Sequence, residues 1–314
     1  MSEDTQDRFD VVIIGAGPAG LTAGMYAARQ GLATAIVAGE VGGQAAWAGE
    51  IENYMGWQMV SGPELISRFR EHARQFGVTC FEGALVNAIV PTGEVFEVYT
   101  REGHRLEART VIIATGRAPN RLAVPGEREL VGRGVSYCAT CDAAFFRDAD
   151  VAVVGPGESA ADAALELATL GARVTVVTGK PLRAPRALVE RVVAAKTISI
   201  REGLKVVSIE GSVTAGERRV SGLTVLDTAT GTSETLPVSG VFIETGSIPV
   251  SEFTGGLLEM NDRGEIVTDK AGATSAPGIY AAGDVTDTPG KQIIIAAGEG
   301  ARAAIAAARD LKRR

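Results

Sequence analysis

The sequence predicts an α/β protein: two Rossmann-like nucleotide-binding domains, each doubly wound and three-layered with a β-meander, the second inserted into the first. Three observations predict it. An apolar strand runs into a glycine turn and a helical stretch near the N-terminus, the same unit recurs from residue 150, and an alternating, turn-rich region follows each copy. Duplicated units of this kind imply two doubly wound domains.

In the first copy, residues 10–14 read as a strand and Gly15-Ala-Gly-Pro-Ala-Gly20 as the turn. A helix follows to about Gly31, and residues 34–37 form the second strand. Meander strands are expected over 84–90, 95–100 and 105–108, feeding a further apolar strand, Val111-Ile-Ile-Ala-Thr-Gly116. In the second copy, 150–154 is the strand and Gly155-Pro-Gly-Glu-Ser-Ala160 the turn. Its helix ends at Gly171, and 174–177 is the next strand. Meander strands are expected over 205–210, 220–227 and 234–236, feeding Val241-Phe-Ile-Glu-Thr-Gly246. Pro119 and Pro249 closely follow the two closing glycines and mark connections. A strand ending in Gly283-Asp284 and a Gly/Ala-rich helix from about Gln292 are too short to fold alone, so they return to complete the first domain. The expected boundaries are 1–117 with 246–314 for the first domain, and 118–245 for the inserted second domain, which carries the cysteine pair.

Bulk properties agree. A chain of 314 residues, 46% hydrophobic and 22% charged, suits two globular domains. Its 39 glycines and 5% aromatics suit helices packed closely on parallel strands. A net charge of −7 argues against nucleic acid, whose phosphates need a basic face. Residues 1–10 are polar and acidic, unlike a signal peptide. Residues 11–28 are uncharged over a membrane-spanning length, but Gly15, Gly17, Pro18, Gly20 and Gly24 make strand–turn–helix the better reading. No membrane segment is expected. Three cysteines do not make a disulfide framework, so a reducing, cytoplasmic setting is expected.

Two motifs hold the chemistry. In the first turn Gly15 permits the tight bend, Gly17 lets backbone approach a pyrophosphate, and Gly20 lets helix and strand pack closely. Pro18 and Ala19 open the helix, whose N-terminus attracts phosphate. Glu40, 20 residues past Gly20, stands where an acid reaches a ribose hydroxyl. A dinucleotide is expected here. The pair Cys138-Ala-Thr-Cys141 has the spacing of a dithiol that closes a small disulfide. Zinc is the main rival, but a structural zinc needs four ligands, and His72 and His104 lie far away, so no metal is expected. Two inert buried thiols are the bland alternative. Asp142 beside the pair is a candidate proton donor to a leaving thiolate, or simply a solvated acid. Cys80, in an ordinary β-region, reads as structural.

Nearly the whole chain, from Phe9 to about Ala308, resembles the low-molecular-weight thioredoxin reductases. The resemblance rests on the first glycine turn, Gly42-Gly-Gln44, Glu52-Asn-Tyr54, Ala114-Thr-Gly116, Cys138-Ala-Thr-Cys-Asp142, Gly283-Asp284 and Lys291-Gln292, in matching order. It implies FAD along the first domain, contacted by the first turn, Gln44, Asn53, Thr115, Gly116, Asp284, Lys291 and Gln292. It also implies that Cys141 receives electrons from the flavin, that Cys138 attacks the disulfide of a thioredoxin-like partner, and that Asp142 is the acid. Members of that family are homodimers. Their inserted domain moves on two connections, which here match 116–120 and 245–249.

The sequence departs from the family at the second turn. Gly155, Gly157 and Ala160 fit the NADPH-binding pattern, but the cationic set after the next strand does not. Where the family has His-Arg-Arg and a later Arg, this chain has Thr178-Gly179-Lys180 and Ala184, leaving Lys180 alone. Arg183, Arg186 and Arg191 are cations at shifted positions. No acid closes the strand at 174–177 to favour NADH. The donor therefore stays open between NADPH, ferredoxin (which some relatives lacking the nicotinamide motifs use) and another nucleotide. Three functions follow: a reductase of thioredoxin-like disulfides, a flavin- and dithiol-containing redox sensor without rapid turnover, or a flavin reductase passing electrons to ferredoxin.

Overall fold

The computed structural model describes residues 7–214 and 216–313, so the acidic residues 1–6 lie outside the described residues. The chain divides into two compact units, Met1–Trp47 with Tyr54–Ala118 and Ile248–Arg314, and Ala48–Asn53 with Pro119–Ser247.

The first unit opens on β1 (Asp7–Ala16), α1 (Pro18–Arg29) and β2 (Thr34–Val41). Val11 to Ile14 are all buried. An unbroken apolar run is what a parallel strand covered on both faces requires. Alternation then splits the side chains: Val11 and Ile13 pack with the helices, Val12 and Ile14 with the meander. That gives three layers. Pro18 pre-sets the first turn of α1, where its missing N–H costs nothing. α2 (Gly62–Gln75) begins where the Ser61 hydroxyl accepts the Glu64 N–H at 3.3 Å. There follow β3 (Thr79–Glu82), β4 (Val86–Thr92), β5 (Val95–Thr100) and β6 (Arg105–Ile113).

The third meander strand and the apolar strand, expected as two, are one. Along one edge β6 pairs parallel with β1 from Leu106 to Ile113, while on the other edge antiparallel β5, through Phe96↔Ala108, gives way to a later parallel strand, through Ile279↔Val111. Nothing between residues 108 and 111 breaks the chain: Thr110 is buried and Val111 fully so, and only the neighbour on one edge changes. The sheet order is β3-β2-β1-β6-β5-β4.

After the connecting strand β7 (Arg117–Pro119) the chain enters the second unit, through β8 (Val135–Ser136), α3 (Ala139–Asp142), β9 (Asp150–Val154), α4 (Glu158–Thr169), β10 (Arg173–Thr178), α5 (Arg186–Ala194) and β11 (Ile198–Glu202). β12 (Leu204–Thr214), β13 (Glu217–Asp227) and β14 (Ser233–Leu236) form a separate antiparallel sheet. β15 (Gly240–Ile243) joins the parallel one, in the order β11-β10-β9-β15-β8. The layering repeats: Val151 and Val153 face α4, while Ala152 and Val154 face the meander.

The returning connection β16 (Ser247–Pro249) pairs with β7. β17 (Ile279–Ala281) then adds to β6 in parallel, and α6 (Ile293–Leu311) packs its Ala303, Ala304 and Ala307 into the same core as Ala19, Ala23 and Ala27 of α1. Alanine on both helices lets their backbones approach closely. Relative to the expected boundaries, the crossings fall one or two residues later, and 48–53, with Asn53, groups with the second unit. No helix among the described residues is long and apolar enough to cross a membrane.

Candidate functional site

The dithiol sits where β8 gives way to α3. Cys138 and Cys141 form a disulfide with their Cα atoms 5.3 Å apart. Cys138 precedes the short helix, and its carbonyl accepts the N–H groups of Cys141 and Asp142, both at 3.2 Å. The Ser136 hydroxyl accepts the Cys138 N–H at 3.0 Å, fixing the entry to the turn. Both cysteines remain partly exposed. Burial pushes the Asp142 carboxyl above the usual carboxylate range, with a hydrogen bond to Ser136 working the other way. An acid whose proton is held more tightly by burial suits protonation of a departing thiolate. Cys80, on β3, is a half-buried thiol raised by burial, then by Glu82, and is the free cysteine of the chain.

Sequence reading missed Glu244. It lies just past β15, and its Oε1 accepts the N–H of Ala139 at 3.3 Å, across a separation of 105 residues. Burial, with Glu166 adding to it, pushes its carboxyl up to about 7 against the hydrogen bonds it accepts. Glu166 itself accepts the Thr140 hydroxyl at 3.1 Å. The signal was a lone acid in an otherwise apolar strand end, Val241-Phe-Ile-Glu244.

The first turn is an open cradle. Gly15 has φ +107°, and a Cβ there would stand 2.3 Å from the Ala114 carbonyl oxygen. A Cβ at Gly20 would stand 1.9 Å from the Gly15 oxygen, while at Gly17 the nearest atom is the Gly42 oxygen, 4.0 Å away. Gly17 precedes α1 with no side-chain cap and no acid follows in the first turn, so the leading N–H groups are left for an anion. Ala19 is buried, and Gly283 packs on it, which brings Asp284 beside the turn. Burial raises the Asp284 carboxyl, with Lys291 and Arg117 opposing.

The other residues expected to contact the cofactor stand as follows. Gln44 Nε2 donates to the Arg117 carbonyl at 2.8 Å, and the Thr115 hydroxyl donates to the Val250 carbonyl at 2.6 Å. Gly116 has a positive φ just past β6. Lys291 Nζ donates to the Thr286 carbonyl and lies 3.7 Å from Glu265, and Gln292 precedes α6. Glu40 is exposed within β2, and Asn53 is exposed on the segment grouped with the second unit. A second residue missed in the sequence is Glu299. This buried acid of α6 accepts the Gly283 N–H at 2.7 Å and so fixes the Gly-Asp turn. An uncapped helix start, a glycine with space before it and a half-buried carboxyl beside both fit a flavin dinucleotide.

The second turn is built differently. A Cβ at Gly155 would lie 2.2 Å from the Glu244 carbonyl oxygen, and Ala160 is fully buried where the first turn has glycine. Gly157 precedes α4, and Glu158 stands in the helix's first turn. Past β10 the Thr178 hydroxyl donates to the Lys180 carbonyl and accepts its N–H, closing a tight bend with Lys180 exposed. Arg183 N–H donates to the Pro156 carbonyl at 2.6 Å, so this arginine's backbone lies on the turn itself. Arg186 is paired with Glu190 on α5 instead, and Arg191 is exposed in that helix's last turn. No group of three metal-ligating side chains occurs among the described residues.

Comparison with known proteins gives a consistent picture. The model of the pyridine nucleotide-disulphide oxidoreductase family matches residues 9–306. The crystal structure of thioredoxin reductase from Streptococcus pyogenes MGAS5005 is similar at 39% identity and TM-score 0.92, over 99% of this chain and 100% of that one. Thioredoxin reductase from Giardia duodenalis is similar at 32% identity and TM-score 0.89, over 98% and 100%. An alkyl hydroperoxide reductase component from Pseudomonas putida is 38% identical over 97% of this chain, which spans 58% of that relative's length.

Proposed function

As a chain belonging to the pyridine nucleotide-disulphide oxidoreductase family, we propose, it is an FAD-dependent enzyme that reduces the disulfide of thioredoxin or a thioredoxin-like protein through Cys138 and Cys141. The observation that carries this reading is the closed Cys138–Cys141 disulfide with Asp142, its carboxyl raised by burial, beside it. FAD, when bound, would supply a two-electron store between donor and disulfide. The residues that would hold it are Gly15, Gly17, Pro18, Ala19 and Gly20 at the pyrophosphate, with Gln44, Asn53, Thr115, Gly116, Asp284, Lys291 and Gln292 along the rest and Glu40 toward the ribose.

The dithiol does the exchange. In the reduced pair the Cys138 thiolate attacks one sulfur of the partner's disulfide, and the other sulfur leaves and takes a proton from Asp142. Cys141 then attacks Cys138, which reforms the internal disulfide and releases the second partner thiol. Two electrons pass from the pair to the partner, with one proton from Asp142 and one from the Cys141 thiol. The assembly we propose is a homodimer, and the setting the cytoplasm.

For the donor, two readings each have an observation. Ferredoxin is favoured by Glu158 and Glu244 at the second turn and by Ala184 where an arginine would grip a 2′-phosphate. NADPH is favoured by Arg183, whose backbone lies on Pro156. One experiment tests donor and function together. Purified protein is mixed anaerobically with NADPH, NADH or reduced ferredoxin, flavin bleaching is followed, and oxidised thioredoxin is then added and its thiols counted. We expect yellow protein, bleaching by one donor, and catalytic thiol release. A colourless protein that takes up no flavin would sink the proposal, and stoichiometric release without turnover would make it a sensor.

A further inference from the structure

One carboxylate ties together the two motifs of the second unit. The Glu244 main chain lies against the second glycine turn, where the Ser159 hydroxyl donates to its carbonyl at 3.3 Å. Its side chain reaches the other way, to the N–H of Ala139, the amide that directly follows Cys138. The charged group facing it from α4 is a second carboxylate, Glu166, and α4 also offers the Ser159 hydroxyl. From the dithiol turn itself come the Ala139 N–H and, three residues on, Asp142. Glu244 thus brings negative charge to a place already short of positive charge, one peptide unit from the sulfur that must ionise to act.

We propose that Glu244 is a positioning residue of the dithiol: held on the Ala139 amide, its carboxylate competes with the Cys138 thiolate for a single negative charge. This rests on the reading of Cys138 as the attacking sulfur. When Glu244 keeps its proton, the Ala139 N–H faces a neutral acceptor and Cys138 ionises unopposed. When Glu244 has lost its proton to solvent, a like charge held on the amide next to Cys138 keeps the thiol protonated. Because burial lifts the carboxyl to about 7, the exchange falls near neutral pH. Groups that interact by more than about one unit titrate as a pair, so the nucleophile is expected to show two steps instead of one.

The test uses the intact protein, reduced chemically and freed of reductant. Alkylation of Cys138 by iodoacetamide is followed from pH 5 to 10, with the modified sulfur identified by peptide mass. Wild type is expected to give two inflections, one near pH 7. Glu244→Gln, which keeps an oxygen for the Ala139 N–H but no charge, is expected to give one inflection, displaced down by roughly one unit. At pH 8 that is alkylation about three- to ten-fold faster. Superimposable profiles overturn the proposal. Should Glu244→Gln fail to fold, wild type decides alone: a profile without an inflection near pH 7 overturns it equally. The measurement needs neither electron donor nor partner, so it can fail while thioredoxin reduction succeeds, or succeed while that reduction fails.

Discussion

The two glycine turns are copies of one device with opposite surroundings. Around the first, α1 starts with no acid, Gly17 has open space before it, and the nearby carboxyl of Asp284 is countered by Lys291 and Arg117. Around the second, α4 starts with Glu158, Glu244 packs on Gly155, and the bend at Thr178-Gly179-Lys180 replaces a cationic cluster. The backbone of a nucleotide fold survives duplication because packing demands it. The charges around the two turns differ, although the turns share one backbone plan. The second copy has turned toward the dithiol beside it.

That contrast breaks most completely at the cysteines. Cys141→Ser should lower thioredoxin reduction by a factor of about 1000 or more, since the mixed disulfide can no longer resolve. Flavin binding should stay intact, measured as protein-bound absorbance. Full activity in that variant would remove the dithiol from the chemistry altogether.

Gly20→Ala and Gly157→Ala sharpen it next. A Cβ at Gly20 meets backbone at 1.9 Å, so a loss of at least about 2 kcal/mol and of bound flavin is expected. At Gly157 nothing lies within 4 Å, so stability should change by less than about 0.5 kcal/mol. Urea midpoints decide.

Acid strength gives a third test. Glu244 is raised from 4.5 to about 7 in the folded protein, so between those values the folded state holds the extra proton. Stability is therefore whole below the unfolded value, falls as pH rises from there through 7, and stays lower above it. The loss is at most about 3 kcal/mol, less what partial exposure screens. Glu244→Gln should be the more stable protein at pH 8 and lose that advantage at pH 4.

The smallest effect concerns the donor. If NADPH binds, Arg183→Ala should weaken it about ten-fold and Ala184→Arg should strengthen it about as much, in flavin-bleaching titrations. Bleaching by ferredoxin should respond to neither through the nucleotide turn.

Most of the fold was legible because its signals are local. Residues 11–14 and 151–154 are unbroken apolar runs, two-residue alternation marks the meanders, and glycine marks the turns. Where the reading slipped, the deciding contact was distant. β6 looked like two strands because one of its edges meets antiparallel β5 over its first half and parallel β17 over its second, while β1 runs along the other edge throughout. In the candidate site, Gly15, Gly20, Cys138 and Cys141 announce themselves by spacing. Glu244 and Glu299 do not, since each acts on a backbone amide well separated in sequence.

The sequence by itself determined the duplicated units, the glycine turns and the cysteine pair, all written in residues within a few positions of one another. Only the tertiary structure decided that a buried acid faces the amide after Cys138, and that Arg183 rests on the second turn while Arg186 is bound to Glu190. Spacing along a chain fixes what neighbours can do. The charge a group holds depends on burial and on partners that folding alone brings within reach.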